Sequence, residues 1–375
     1  MRDPAIDAMR SLALWGIIIA NLPFLAMPGG YGLSWWLMDA SGADIGAGFL
    51  IRALVEGKFI GVFSLLFGYG IARQLDTRDR GYVYRRLGVL AVLGVAHGIL
   101  LFPGDILLPY AICGLAFMVL QRRGETTLAP ALAGLALASV GMVVLSILAL
   151  LLALPEPDVA AVITIVRDGS LSAYLSLNFA VWVGALMELP FQLIFQIFAA
   201  FALGAWVYHR YANYGDFIAQ LRPYRRLLWS VGLIGNLIYS GFVILGQVQD
   251  MPSVSYLAAT LRPVFGVVLM LAILSDFYRI CVGLSQTRVV GWLRQTGRAS
   301  LSLYLLQSLA CVLLFRGFGL YAVLSMWQAL VLAVILGGVL QVLLLGWLRV
   351  FGIGPFEYVM QAVMRSGRGR EVVAE

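Results

Sequence analysis

Long apolar stretches follow one another along the whole chain, each bounded by a connection with charges, glycine or proline. A helix needs about 20 apolar residues to cross the hydrocarbon of a bilayer. Ten such stretches are predicted, at residues 8–27, 49–73, 86–103, 105–121, 128–154, 184–208, 226–248, 254–278, 298–316 and 321–350. In lipid only helices and closed barrels satisfy their own backbone, and runs of this length are helical. The expected fold class is all-α: a polytopic bundle of about ten transmembrane helices. It forms one domain over 1–360, followed by a polar cytoplasmic tail over 361–375. Two further segments are expected at the outer interface. One is part of 168–190; the other is a loop or short helix over 31–48, with Trp35 and Trp36 as aromatic anchors.

The connections alternate in charge. Those at 73–86, 121–127, 208–226 and 278–298, together with the tail, hold most of the arginines. Those at 28–48, 103–105, 154–184, 248–254 and 316–321 hold few. Positive charge marks the cytoplasmic side, and an even number of spans then places both termini there.

Composition agrees with a membrane protein. The chain has 375 residues, 61% hydrophobic and 12% charged, against about 25% charged in a soluble domain. The net charge of +7 is almost wholly arginine, with Lys58 the only lysine. These arginines flank apolar segments and accompany no nucleic-acid-binding pattern, which excludes nucleic acid as a partner. Asp3 and Asp7 spoil the start of a signal peptide, so the first span is expected to be uncleaved. Cys113, Cys281 and Cys311 fit neither a metal site nor a disulfide framework, and no metal is expected. Phosphate-binding loops, dinucleotide fingerprints and a serine-hydrolase elbow are absent.

Against this background, ionisable and strongly polar groups within spans are functional candidates. Arg10 and Asn21 lie eleven residues apart in the first span, and Arg86 and His97 lie eleven apart in the third. At about 100° per residue each pair shares a helix face, ~16 Å apart along the axis. Each span thus has an arginine at its inner boundary and a hydrogen-bonding group deeper in the bilayer. Asn21 and His97 suit interhelical glue or chemistry, and a neutral imidazole can accept and return a proton near pH 7. Asp105, in the link "FPGD", suits an N-cap for the fourth span; it also suits holding the tautomer of His97 as the third member of a triad does. The two roles are compatible. Glu188, Gln192 and Gln196 fall on one stripe of the sixth span. Ser300, Tyr304, Gln307 and Ser308 form an arc on the ninth wide enough to face a cavity. Glu56 and Lys58 are expected near the outer end of the second span.

Five stretches carry a family resemblance. They are "IDAMRSLALWGIIIAN" (6–21), "GKFIGVFSLLFGYG" (57–70), "RRLGVLAVLGVAHGILLFPGDILLPYAICGL" (85–115), "GRASLSLYLLQSLACVLLFRGFGL" (297–320) and "FGIGPFEYV" (351–359). In them the chain resembles the YeiB-like proteins of the bacterial inner membrane. That family in turn is similar to the membrane-bound acyltransferases, which include bacterial sugar O-acyltransferases and the lysosomal heparan N-acetyltransferase. The resemblance implies a ten-helix core carrying an acyl group from cytoplasmic acyl-CoA to an acceptor on the far side. Where the O-acyltransferases have an acid, an arginine and then a catalytic histidine on the first helix, this chain has Asp7, Arg10 and Asn21. Asparagine cannot serve as a general base; His97, on the same spacing in the third span, is the candidate for that role.

One reading is therefore an acyltransferase with catalytic His97, Asp105 and Asn21. Arg10, Arg85, Arg86 and Arg298 would meet the phosphates of acyl-CoA, with acetyl-CoA one candidate donor and no covalently bound cofactor. Glu188, Gln192, Tyr304 and Gln307 would line the substrate path, with Asn21 and Gln307 donating to the developing oxyanion. The partners expected are the bilayer, a small-molecule acceptor and, as a candidate, a second copy in a homodimer. A second reading is a small-molecule transporter or receptor using the same polar cavity, with His97 and Glu188 coupled to protons. A third is a scaffold subunit in which the polar groups only join helices.

Overall fold

The computed structural model describes residues 3–28, 40–121, 127–152, 158–188 and 193–366. Its elements are helices throughout, nearly all of them α, with no strand among the described residues. In chain order they are α1 (Pro4–Ala26), α2 (Gly42–Leu50), α3 (Lys58–Thr77), α4 (Arg80–Leu100), α5 (Leu107–Gln121), α6 (Ala129–Leu152), α7 (Val159–Arg167), α8 (Leu171–Glu188) and α9 (Leu193–Arg210). Then come α10 (Tyr214–Leu221), α11 (Arg225–Val248), α12 (Pro252–Ala259), α13 (Arg262–Gly283), α14 (Arg288–Arg298), α15 (Ser300–Val312), α16 (Met326–Phe351) and α17 (Pro355–Ser366). Seven segments of the described residues are long and apolar enough to cross a membrane: α1, α4, α6, α10 with α11, α13, α15 with the turn after it, and α16. Their outward faces carry exposed Val92, Leu151 and Val342, as a lipid-facing surface does. The protein is an all-helical membrane protein.

Three predicted spans are interrupted. The stretch 49–73 starts in α2, passes through a π-helical turn at Ile51–Val55, and reaches α3 only after Gly57, whose φ is +80°. That left-handed conformation suits glycine, which has no Cβ to clash. The stretch 184–208 is divided between α8, ending at Glu188, and α9, starting at Leu193; Pro190 lies in that gap of the sequence and supplies no backbone N–H. The stretch 254–278 begins in α12 and becomes α13 only at Arg262, next to Pro263. The expected aromatic anchors Trp35 and Trp36 lie outside the described residues. Residues 361–366 of the expected tail continue α17, with Met364 buried.

Small residues set the closest helix crossings, as expected where lipid supplies no hydrophobic drive between helices. On α3, Gly68 lies against the carbonyl of Phe201; on α9, Gly204 lies against that of Leu65. α1 runs through the interior, held to α14 by a 2.7 Å bond between Ser11 and Thr296. Gly297 sits directly against the carbonyl of Asp7. α11 and α13 meet where Gly232 faces Leu269, and Asn236 donates to the carbonyl of Phe265 at 2.8 Å.

The amphipathic α17 closes the arginine-rich end. α15 starts without a side-chain cap of its own, leaving backbone N–H groups to be satisfied elsewhere. Glu357 of α17 supplies the acceptor: its Oε1 takes the N–H of Leu301 at 2.8 Å and that of Ser302 at 3.2 Å, and its Oε2 takes the hydroxyl of Ser302. Burial pushes the Glu357 carboxyl up from its ordinary range, against the pull of these hydrogen bonds. Glu357→Ala leaves buried donors unpaired, which costs about 1–3 kcal/mol each. We expect a lower melting temperature and faster proteolysis in α17, with Glu357→Gln, which keeps an acceptor oxygen, falling between. A wild-type proteolysis pattern in Glu357→Ala would show that the clamp does not hold the helix.

Candidate active site

α4 begins at an Asp79 cap, whose side chain accepts the N–H of Tyr82 at 2.8 Å. It ends one turn after His97, where the N–H groups of Leu101 and Phe102 both reach the His97 carbonyl at 2.9 Å. Pro103 and Gly104 then turn the chain back, and Asp105 performs two tasks at once. Its Oδ2 accepts the N–H of Leu108 at 2.8 Å at the start of α5, and its Oδ1 lies 2.8 Å from Nδ1 of His97. The return is possible because residue 94 is glycine. A Cβ there would lie 2.4 Å from the Leu108 nitrogen and 2.8 Å from Asp105 Oδ2. Gly98, on the other side of His97, similarly admits the Trp182 ring of α8.

α15 completes the cluster from 211 residues away: Ser308 Oγ lies 2.8 Å from His97 Nε2. A carboxylate only accepts, so with Asp105 ionised Nδ1 carries the proton and Nε2 accepts the serine hydroxyl. Tyr304, one turn earlier, places its ring 4.9 Å from the imidazole and its hydroxyl oxygen 3.4 Å from the donating N–H of Ile106. His97, Ser308 and Asp105 are 2%, 3% and 5% exposed. The three side chains form a Ser–His–Asp arrangement sealed inside the bundle, and the roles in such an arrangement follow from geometry rather than chain order.

A cavity lies on each side of this cluster. One, of about 440 Å³, is at the arginine-rich end; Arg10, Arg73, Arg78 and Arg86 line it with Tyr110 and Tyr304, and Met360, Gln361 and Met364 of α17 contribute to its wall. The other, of about 370 Å³, has mainly apolar walls, including Phe24, Phe102 and Phe315, with Asn21, Asn178 and Gln196 as polar groups and the ion pair Glu56–Arg262 at 2.7 Å. Ile106 lines both. The cavities thus share a wall at Ile106, next to Asp105; His97, Asp105 and Ser308 line neither, but their neighbours Gly104, Ile106, Tyr304 and Val312 line one or both.

Residues 216–366 match a family model described as "Protein of unknown function (DUF418)". The chain is 28% identical over 382 residues to the "Uncharacterized protein YeiB" of Escherichia coli (strain K12), covering 98% of this chain and 97% of that protein. Over nearly its whole length the chain is similar to the YeiB-like proteins. It is also 26% identical over 399 residues to the "Uncharacterized protein YxaH" of Bacillus subtilis (strain 168), covering 96% of this chain and 94% of that one. No solved structure matches. The family model spans Tyr304, Ser308 and Glu357 but not His97 or Asp105; the near-full-length relatives extend over both halves of the site.

The residues singled out in the sequence fall into three groups. His97 and Asp105 are brought together, with Tyr304 against them; Arg10 and Arg86 line the arginine-rich cavity, and Asn21 the other. Others are engaged elsewhere. Gln307 donates to the Leu14 carbonyl at 3.2 Å, joining α15 to α1, and lines neither cavity. Arg298 lies 3.6 Å from the Asp7 carboxylate with its side chain 56% exposed, and Arg85 is not among the lining residues. Last, the stripe Glu188–Gln192–Gln196 does not form one helix face. Glu188 ends α8 and Gln196 belongs to α9, while Gln192 lies outside the described residues.

Two features exceed the sequence reading. Ser308 was visible only as part of a polar arc, and nothing in the sequence joins it to His97. Lys58, expected near the outer end of the second span, is fully buried; its ammonium donates to the Arg52 carbonyl at 2.8 Å and faces the Tyr239 ring. The three cysteines are buried and form no disulfide, and no group of three or more His, Cys, Asp or Glu side chains that could hold a metal occurs among the described residues.

Proposed function

We propose that this protein is a transmembrane acyltransferase of the bacterial inner membrane, with ten spans and both termini in the cytoplasm. One observation carries the reading: a histidine paired with a buried carboxylate lies next to the wall that a basic cavity and a mainly apolar one share at Ile106. The basic cavity lies at the end rich in arginine, which is the cytoplasmic end by the positive-inside rule. Guanidinium groups match phosphate geometry, so Arg10, Arg73, Arg78 and Arg86 suit the phosphates of acyl-CoA. The acyl end then points along Tyr304 towards that wall. The opposite cavity suits an amphiphilic acceptor hydroxyl or amine entering from the periplasmic side, with Asn21 as a hydrogen-bonding group. His97 serves as general base and Asp105 as the positioning residue that keeps Nε2 free to accept.

The test is a thermal shift of the purified protein in nanodiscs with acetyl-CoA, longer acyl-CoAs and free CoA. We expect saturable stabilisation, about 2.7 kcal/mol at a ligand concentration one hundred times Kd. The shift should persist in His97→Ala, because that residue lies beyond the phosphates. In Arg86→Ala the affinity should fall roughly tenfold or more, the loss of one charge-assisted phosphate contact. Absence of any acyl-CoA shift would remove this reading and favour a transporter or receptor, to be pursued by proton-gradient-dependent uptake.

A further inference from the structure

We propose that Ser308 is the nucleophile of a two-step transfer, carrying the acyl group as an ester between the two cavities; this rests on the acyltransferase reading above. The placement along α15 is the first support. Tyr304 lines the basic cavity and Val312 the opposite one, and Ser308 lies four residues from each. Spacing of four keeps the three on one helix face. At 1.5 Å per residue Ser308 stands ~6 Å from either flank. Along α4 and the residue that follows it the same order recurs: Leu90 lines the basic cavity, His97 comes next, and Leu101, just past the helix end, lines the other. Direct transfer requires donor and acceptor to meet across packed protein. A relay requires each to reach only Ser308.

The hydrogen bond of Ser308 is the second support. Serines within helices commonly return their hydroxyl to the carbonyl four residues earlier. Ser64, Ser139 and Ser146 do so here, at 2.6, 2.9 and 2.7 Å. The Ser308 hydroxyl is instead 2.8 Å from His97 Nε2, the nitrogen that Asp105 leaves as the acceptor. An activated nucleophile has this form: hydroxyl, base, and a third group orienting the base.

In the first step Oγ attacks the thioester carbonyl carbon while His97 Nε2 takes the hydroxyl proton. The C–S bond breaks, the thiolate takes that proton, and CoA thiol departs from an acyl-serine ester. In the second step the acceptor hydroxyl or amine attacks the ester carbon and gives its proton to His97. The C–Oγ bond breaks, and Oγ recovers the proton. The sum is acyl-CoA plus acceptor giving acylated acceptor plus CoA, with no further reactant.

A relay supports exchange of CoA without any acceptor, which gives the test. The full-length protein in nanodiscs is incubated with acetyl-CoA and isotopically labelled CoA, and quenched samples are analysed by peptide mass spectrometry. We expect label to enter acetyl-CoA and one acetyl group to be found on Ser308. Ser308→Ala should lose exchange by about 100-fold or more while keeping the acetyl-CoA thermal shift. Ser308→Cys, which preserves the folded packing should alanine not, should carry the acetyl group as a hydroxylamine-sensitive thioester. Exchange at the wild-type rate in Ser308→Ala, or acetyl mapped to another residue, overturns the relay. An acetyl-CoA shift with neither exchange nor acetylated serine also overturns it and leaves direct transfer by the same enzyme. No shift and no exchange overturns the acyltransferase reading, and the relay with it.

Discussion

On the proposed acyltransferase reading, we expect His97→Gln to lower CoA release from acetyl-CoA by about 10²–10⁴ while leaving the bundle folded. The glutamine side chain is close in reach to imidazole and can donate to Asp105 and accept from Ser308, which lie 2.8 Å from the two ring nitrogens. The buried polar partners therefore remain satisfied, and the cost in stability is small. An amide cannot take up a proton near neutral pH, so the general base proposed at this position is removed. Removal of a positioned general base lowers rates by about 10²–10⁴. His97→Ala differs: it leaves the Asp105 carboxylate and the Ser308 hydroxyl without their partner and opens space beside Tyr304 and Phe102, whose rings lie 4.9 and 6.3 Å from the imidazole. A buried charge stripped of its partner costs about 3–5 kcal/mol. The pair of variants separates chemistry from packing. The measurement is CoA release from acetyl-CoA, in the presence of bacterial membrane extract as acceptor source, alongside melting temperature. Turnover in His97→Gln within a factor of about two of wild type would exclude the histidine as base.

A large loss of stability from overpacking is expected at the crossing of α3 and α9. A Cβ on Gly68 would lie 2.0 Å from the Phe201 carbonyl oxygen, and one on Gly204 would lie 1.9 Å from that of Leu65. Both neighbours are helix backbone and cannot rotate aside, so the helices must separate. Overpacking in a core costs about 1–3 kcal/mol, and contact with backbone places Gly68→Ala and Gly204→Ala at the upper end. The double variant should cost less than the sum, because either methyl already forces the same separation. Gly88→Ala and Gly346→Ala are the controls: both lie within helices and a Cβ at either meets nothing within 4 Å. Their melting temperatures should equal or exceed that of wild type, as alanine is the better helix former by about 1 kcal/mol. If Gly68→Ala melts with Gly88→Ala, the crossing is not as close as described. The consequence extends to function. α3 lends Phe63 and Phe67 to the basic cavity and Ile60 to the other, while α9 lends Gln196. Separating the two helices alters both cavities together.

What the sequence determined by itself was the class of molecule and one local pair. Apolar length settled the helices, because a backbone in hydrocarbon must bond to itself. Arginine distribution marked one end, where the basic cavity is found. The pairing of His97 with Asp105 was legible because only eight residues separate them and Pro103–Gly104 breaks the helix between. Everything that depended on which helix face points inward was decided by tertiary structure. In a soluble protein the outward face is polar and betrays the inward one. In a bilayer both faces are apolar: Val92 on α4 is 70% exposed while Leu90, two residues away, is buried. Hydrophobic periodicity was therefore silent about Ser308 meeting His97, about Gln307 turning to α1, and about Lys58 lying inside the bundle rather than at its edge. The same silence hid the cap that Glu357 provides for α15, formed across more than fifty residues by a helix whose own pattern showed only that it was amphipathic. Long-range contacts between apolar helices are chosen by the shape of small residues and the pairing of a few polar atoms, and these become visible only when the helices are packed.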